Sequence, residues 1–144
     1  MKFLIVALSF ALVAVASAGL VKFTDCGHGE IATVFVDGCS LDGCVIHKSK
    51  PVHVQSNFTA NQDTSKIDVK VTATLNGLEI PIPGIDTDGC KALKCPLVKG
   101  TKYFLDYTFH IPSIAPEIKS KVTLKSYGEH GLIACGQVAG ELKA

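Results

Sequence analysis

Arginine and tryptophan are absent from this 144-residue chain, and its one methionine is the first residue. Without guanidinium groups the chain lacks the bidentate contacts that read phosphates and guanine edges. Its fourteen basic residues, all lysine, face thirteen acidic ones and are scattered among them, and Lys2 falls in a leader segment, so the remainder balances. No basic stripe forms, and nucleic acid is not an expected partner. The missing tryptophan also removes the Cys…Trp…Cys hallmark of antibody domains. Catalytic constellations are missing as well. There is no Gly-x-Ser-x-Gly elbow, no His-Glu-x-x-His pair and no phosphate-cradling glycine loop. His28, His47, His53, His110 and His130 are dispersed and read as surface or hydrogen-bonded structural residues. The expectation is a protein that is not an enzyme and holds no metal or cofactor.

What is present begins with a leader. Met1-Lys2 is a short basic start, positions 3–15 are apolar except for Ser9, and Ala16-Ser17-Ala18 supplies the small-x-small pattern of a signal peptidase site. The run is too short to span a bilayer comfortably, and no second apolar stretch of spanning length follows. Residues 1–18 therefore read as a signal peptide and 19–144 as one secreted, extracellular domain, large enough to bury a continuous core.

All six cysteines lie beyond the leader, at 26, 39, 44, 90, 95 and 135. An even count in an exported chain reads as disulfides. Spacing favours two tight loops, Cys39–Cys44 and Cys90–Cys95, which leaves Cys26–Cys135 as a clamp between the ends. In the chain-entropy model a short loop contributes about 2 kcal/mol and the long clamp about 5 kcal/mol. The two Cys-x4-Cys pairs also suit zinc, but an oxidising compartment favours the disulfides.

Period-two alternation dominates the rest. Ile67, Val69, Val71, Ala73 and Leu75 alternate with polar residues, as do Tyr103, Leu105, Tyr107, Phe109 and Ile111. Val52, Val54 and Phe58 share a face opposite His53, Gln55, Asn57 and Thr59, and Val122 and Leu124 sit between Lys121, Thr123 and Lys125. Weaker strand signals occupy 31–36, 78–82 and 132–138. Turn chemistry punctuates these runs at Asp37-Gly38, Asn76-Gly77, Pro83-Gly84, Lys99-Gly100 and Gly128. No helical periodicity competes. About seven short antiparallel strands on one core describe an all-β, immunoglobulin-like sandwich. Asn57-Phe58-Thr59 is an N-glycosylation sequon whose asparagine the alternation points to solvent.

Specific motifs resemble a known family. They are Thr24-Asp25-Cys26 with Glu30-Ile31, Asp37-Gly38-Cys39, Cys44-Val45-Ile46-His47, Ala60-Asn61-Gln62-Asp63-Thr64 and Pro83-Gly84-Ile85. Cys95-Pro96-Leu97-Val98-Lys99-Gly100 with Tyr103, Ile111-Pro112-Ser113-Ile114-Ala115-Pro116 and Gly131-Leu132-Ile133-Ala134-Cys135 are the most telling. Together they cover 19–144 in order and resemble the group 2 mite allergens, which belong with the Niemann-Pick type C2 proteins in the lipid-recognition (ML) domain family. The resemblance implies two antiparallel sheets splayed at one end around an apolar ligand, the same three disulfides, and no chemistry on the ligand. Sterols, fatty acids and lipid A-like molecules are the ligand classes it implies. Two departures stand out: several mite relatives carry tryptophan where this chain has Phe109, and the Asn57 sequon is not general among them.

Alternation alone favours a solid core, because facing sheets normally interdigitate about 10 Å apart. That alternative is a secreted protein-interaction or immune-recognition module. The resemblance instead implies an inter-sheet cavity, and the protein is expected to be a monomeric carrier that does not span a membrane. Its expected wall is Phe35, Val52, Val54, Phe58, Val69, Val71, Tyr103, Leu105, Tyr107, Phe109, Val122 and Leu124. The 111–116 segment, with two prolines that bar it from an interior strand, is expected as one lip, with Ile114 touching whatever enters. The hydroxyls of Tyr103 and Tyr107 are candidates to orient a polar head.

Overall fold

Alternating sequences pair into two sheets in a computed structural model that describes residues 19–41 and 43–144. The leader expected over 1–18 lies outside the described residues. Among the described residues ten strands follow in chain order: β1 Thr24–Asp25, β2 Ile31–Val36, β3 Cys39–Ser40, β4 Gly43–His47, β5 Pro51–Thr59, β6 Asp68–Leu75, β7 Leu78–Pro81, β8 Lys102–His110, β9 Ile118–Gly128 and β10 Gly131–Lys143. The one helical element among the described residues is a 3-10 turn at Gly89–Lys91, begun by the Asp88 carboxylate accepting from the Cys90 amide at 3.0 Å.

The sheets are unequal. The small one has the order β2-β5-β8, and the seven-stranded one runs β3-β4-β10-β9-β6-β7, with β1 added to β10. Asn76 and Gly77 both take positive φ in the β6–β7 turn, the conformation their pair favours. One pairing departs from the all-antiparallel expectation. β10 lies parallel to β4, with Glu141 opposite Val45 and Lys143 opposite His47. The long β10 thus meets β9 antiparallel along one edge and β4 along the other. The result is an all-β, immunoglobulin-like sandwich whose inner faces are apolar.

Disulfides join Cys26 to Cys135, Cys39 to Cys44 and Cys90 to Cys95. The first ties the start of the domain to β10 across 109 positions. The core divides in two. One cluster gathers Phe58, Ala60, Ile67, Leu93, Leu97, Ile133 and Ala134 near the Cys90–Cys95 loop. The other gathers Val21, Val34, Val36, Val52 and Ile111 around Cys39–Cys44.

Candidate functional site

Between these two clusters the sheets do not close. An apolar cavity of about 280 Å³ runs through the sandwich, near the lower edge of the ~300–1,000 Å³ usual for small-molecule sites. Its walls follow the period of two. β6 contributes Val69, Val71, Ala73 and Leu75, β9 contributes Ile118, Ser120, Val122, Leu124 and Ser126, β5 contributes Val52, Val54, Ser56 and Phe58, and β8 contributes Leu105, Tyr107 and Phe109. Val122, Leu124 and Tyr107 belong to neither core cluster and, although they face inward, are only half-buried. Side chains at the middle of a closely packed sandwich have no accessible surface. Here the middle is open space.

Of the wall residues read from sequence, Val52, Val54, Phe58, Val69, Val71, Leu105, Tyr107, Phe109, Val122 and Leu124 line this cavity. Phe35, Tyr103 and Ile114 do not. Phe35 is displaced by a bulge. The β2–β5 register slips between Ile31 and Thr33, so Ile31, Val34 and Val36 face inward and Phe35 turns to the other side. One extra residue inverts the face of everything after it. Tyr103 stacks on Phe58 with centroids 5.9 Å apart, and its hydroxyl accepts the Val98 amide at 2.8 Å. It belongs to the sealed end of the core. Ile114 projects into solvent, 89 % exposed, while Ile111, Ala115 and Pro116 of the same segment face the cavity.

The lip is fixed by backbone and lysine contacts. Lys48 donates to the Ala115 carbonyl at 2.7 Å, Ser49 donates its amide to the Ile111 carbonyl at 3.0 Å, and Ala115 closes a turn onto the Pro112 carbonyl. Facing it, residues 82–88 leave the β7 end as a strap. Ile82 bonds to Val71 and Thr87 to Val69, so both ends of the strap hold to β6. Its middle reaches the edge strand of the other sheet. The Tyr107 hydroxyl accepts the Asp86 amide at 3.0 Å and donates to the Asp86 carbonyl at 3.1 Å. Tyr107 therefore ties the two sheets together rather than presenting a free head-group donor. Asp86 itself bonds to Lys91 at 2.9 Å, and this contact, with the Asp88 amide, holds its carboxyl below the usual carboxylate range.

Sequence reading missed much of the remaining wall. Ile67, Ile80, Ile82, Leu93, Leu97, Ile133, Val138 and Leu142 also line the cavity. The alternation of Ala134, Gly136, Val138, Gly140 and Leu142 in β10 was a usable signal. A second register shift, between Leu132 and Ala134, brings Ile133 to the same side. Polar side chains on the wall are few, and most are occupied. Ser56 donates to the Thr33 carbonyl at 3.0 Å, and Ser120 to the Thr74 carbonyl at 2.6 Å.

These features define a β-sandwich built around an apolar inter-sheet chamber. The ML domain family model matches residues 20–142, and the chain belongs to that family. It is 67 % identical over 143 residues, 99 % of each chain, to the mite group 2 allergen Tyr p 2 of Tyrophagus putrescentiae. It is also 48 % identical over 134 residues to Lep d 2 of Lepidoglyphus destructor, covering 93 % of this chain and 95 % of that one. Among solved structures, a Niemann-Pick type C2 protein from the Japanese carpenter ant matches with a TM-score of 0.78 at 23 % identity, over 85 % of this chain and 99 % of that one. Chicken MD-1, solved in complex with lipid IVa, matches with a TM-score of 0.55 at 17 % identity, over 81 % and 85 %. Both structural likenesses speak to the fold.

Proposed function

We propose that the protein is an exported, non-catalytic, monomeric carrier that holds a sterol, a fatty acid or a lipid A-like lipid between its sheets. The observation that carries this reading is the open middle of the sandwich, where Val122, Leu124 and Tyr107 face space rather than one another. An apolar guest there removes wall and ligand surface from water at about 25 cal/mol per Å². The lipid IVa held by the similarly folded MD-1 supports the ligand class. Family membership beside the group 2 allergens supports carriage rather than turnover, as do wall hydroxyls of Ser56, Ser120 and Tyr107 that donate to backbone carbonyls. Export rests on the leader pattern and on three disulfides.

Organic extraction of protein purified from a secreting host, followed by mass spectrometry, is expected to release a lipid. Clean protein that also fails to take up a fluorescent fatty acid would refute the reading. A blocking substitution sharpens the test. Val69 is a poor choice, because a Cβ on Gly89 would meet its Cγ2 at 3.1 Å and little room remains on that side. Val122 faces the open middle. Val122→Trp is expected to abolish fatty-acid uptake with little change in melting temperature. In a filled core the same insertion costs roughly 1–3 kcal/mol through overpacking.

A further inference from the structure

The outer face of the small sheet carries a row that the cavity does not use. Register places Thr33 of β2 beside Asn57 of β5, and Asn57 beside Phe104 of β8. Side chains directly opposite on neighbouring strands stand about 5 Å apart at Cβ. Asn57 is exposed, and its amide nitrogen donates to the Thr33 hydroxyl at 2.9 Å. On its other flank Phe104 is 50 % exposed, an aromatic ring left in water beside a polar neighbour. Phe58, the central residue of the Asn57-Phe58-Thr59 sequon, points the opposite way into the core at 7 % exposure.

We propose that Asn57 is an N-glycosylation site whose first sugar rests on the ring of Phe104. The amide nitrogen of Asn57 bonds to the anomeric carbon of an N-acetylglucosamine supplied as a polyisoprenyl-diphosphate-linked oligosaccharide. The bond from that carbon to the diphosphate oxygen breaks, the diphosphate leaves with the electron pair, and the amide gives up one proton. Nothing is oxidised or reduced. Transfer to the unfolded chain during export requires no access to a formed strand, so the position of Asn57 within β5 is no obstacle. One amide hydrogen remains after transfer and keeps the bond to Thr33 on the β2 side. The sugar replaces the other hydrogen, and its apolar C–H face covers Phe104. The glycan thus removes an exposed aromatic from water, an effect roughly proportional to the apolar area covered.

This site requires the export proposed above, and one experiment separates the two claims. The full chain is expressed in cultured insect cells, and medium and cell fractions are analysed by intact mass before and after peptide N-glycosidase. The expected result is secreted protein carrying a glycan that the enzyme removes, with Asn57→Gln secreted bare. Secreted wild-type protein with an unmodified Asn57 overturns the site and leaves export standing. Protein retained in cells with residues 1–18 attached overturns both. The platform has its own measurement. Removing the glycan leaves aspartate at position 57 in either protein and is expected to lower the melting temperature of wild type by a few degrees more than that of glycosylated Phe104→Ala. Equal shifts in the two proteins would overturn the role of Phe104.

Discussion

The two ends of the sandwich are built from the same kind of alternating strand yet pack in opposite ways. At the sealed end Leu97 and Ile133 are each 1 % exposed. A polar seam closes over them: Asn61 donates to the Leu132 carbonyl at 2.9 Å, Gln62 accepts the His130 amide at 2.9 Å, and Thr64 accepts the Glu129 amide at 3.1 Å. The seam is so tight that a Cβ on Gly128 would stand 2.5 Å from the Gln62 side-chain oxygen. At the open end Ile80 lines the cavity while 43 % exposed, and the prolines of 111–116 and of the strap stand where strand pairing would otherwise continue. The strands alternate alike at both ends, so strand composition alone does not decide which end fills.

The comparison breaks most visibly under truncation. Leu97→Ala is expected to cost about 2–5 kcal/mol, because it truncates a side chain that is almost wholly removed from water. Ile80→Ala should cost under about 1 kcal/mol, since much of its surface already meets water. Urea midpoints for the two variants measure the difference directly. Equal losses would mean that the open end is packed after all. Removing the long clamp with Cys26→Ser and Cys135→Ala together should cost a further 2–5 kcal/mol, roughly the loss typical of a native bridge.

Alternation makes most of the inner wall legible in the sequence. Val69, Val71, Tyr107, Val122 and Leu124 each sit on an uninterrupted run with period two, and each faces the cavity. Phe35 was misplaced because a bulge is a backbone event that no residue in 31–36 announces. The parallel pairing of β4 with β10 was hidden for a different reason: it joins positions almost a hundred residues apart and leaves no local pattern. Nor does alternation reveal whether two apolar faces touch. That depends on the separation of the sheets. The partners of Tyr103 and Tyr107 were equally silent, since both are backbone groups of loops, Val98 and Asp86.

A smaller effect is expected from loosening the strap at the open end. Tyr107→Phe keeps the ring on the cavity wall and removes only the hydroxyl that both donates to and accepts from Asp86. The loss of stability should be about 1 kcal/mol, the usual net worth of a hydrogen bond. Kinetics should change more than affinity, because the bonds hold the rim and contribute no wall area. Release of a bound fluorescent fatty acid, followed by stopped flow, is expected to quicken, with faster amide exchange confined to residues 82–88. Unchanged release alongside faster exchange would show that guests pass only by the 111–116 lip.

The smallest expected effect lies on the outer surface and depends on pH. His53 of β5 bonds through Nε2 to Asp106 of β8, and its Nδ1 stands 3.4 Å from Asp37 beyond β2. The hydrogen bond to Asp106 raises its pKa above 6.5, and the charges of Asp106 and Asp37 add to this against some desolvation. The folded state therefore binds this proton more tightly than the unfolded chain does. Its stabilisation is fully present below the unfolded value near 6.5 and is lost as pH rises through the higher folded value. With the ring a third exposed and both carboxylates more so, solvent screens the contribution and keeps it modest. His53→Gln should consequently melt below wild type at mildly acidic pH and level with it at alkaline pH. The sealed end should not sense this change, because the ion pairs join β5 to β8 and to the β2–β3 turn, away from Leu97 and Ile133. Amide exchange around the strands of the small sheet should carry the pH dependence. A gap in melting temperature that persists unchanged at alkaline pH would mean that His53 acts by packing and that its proton contributes nothing.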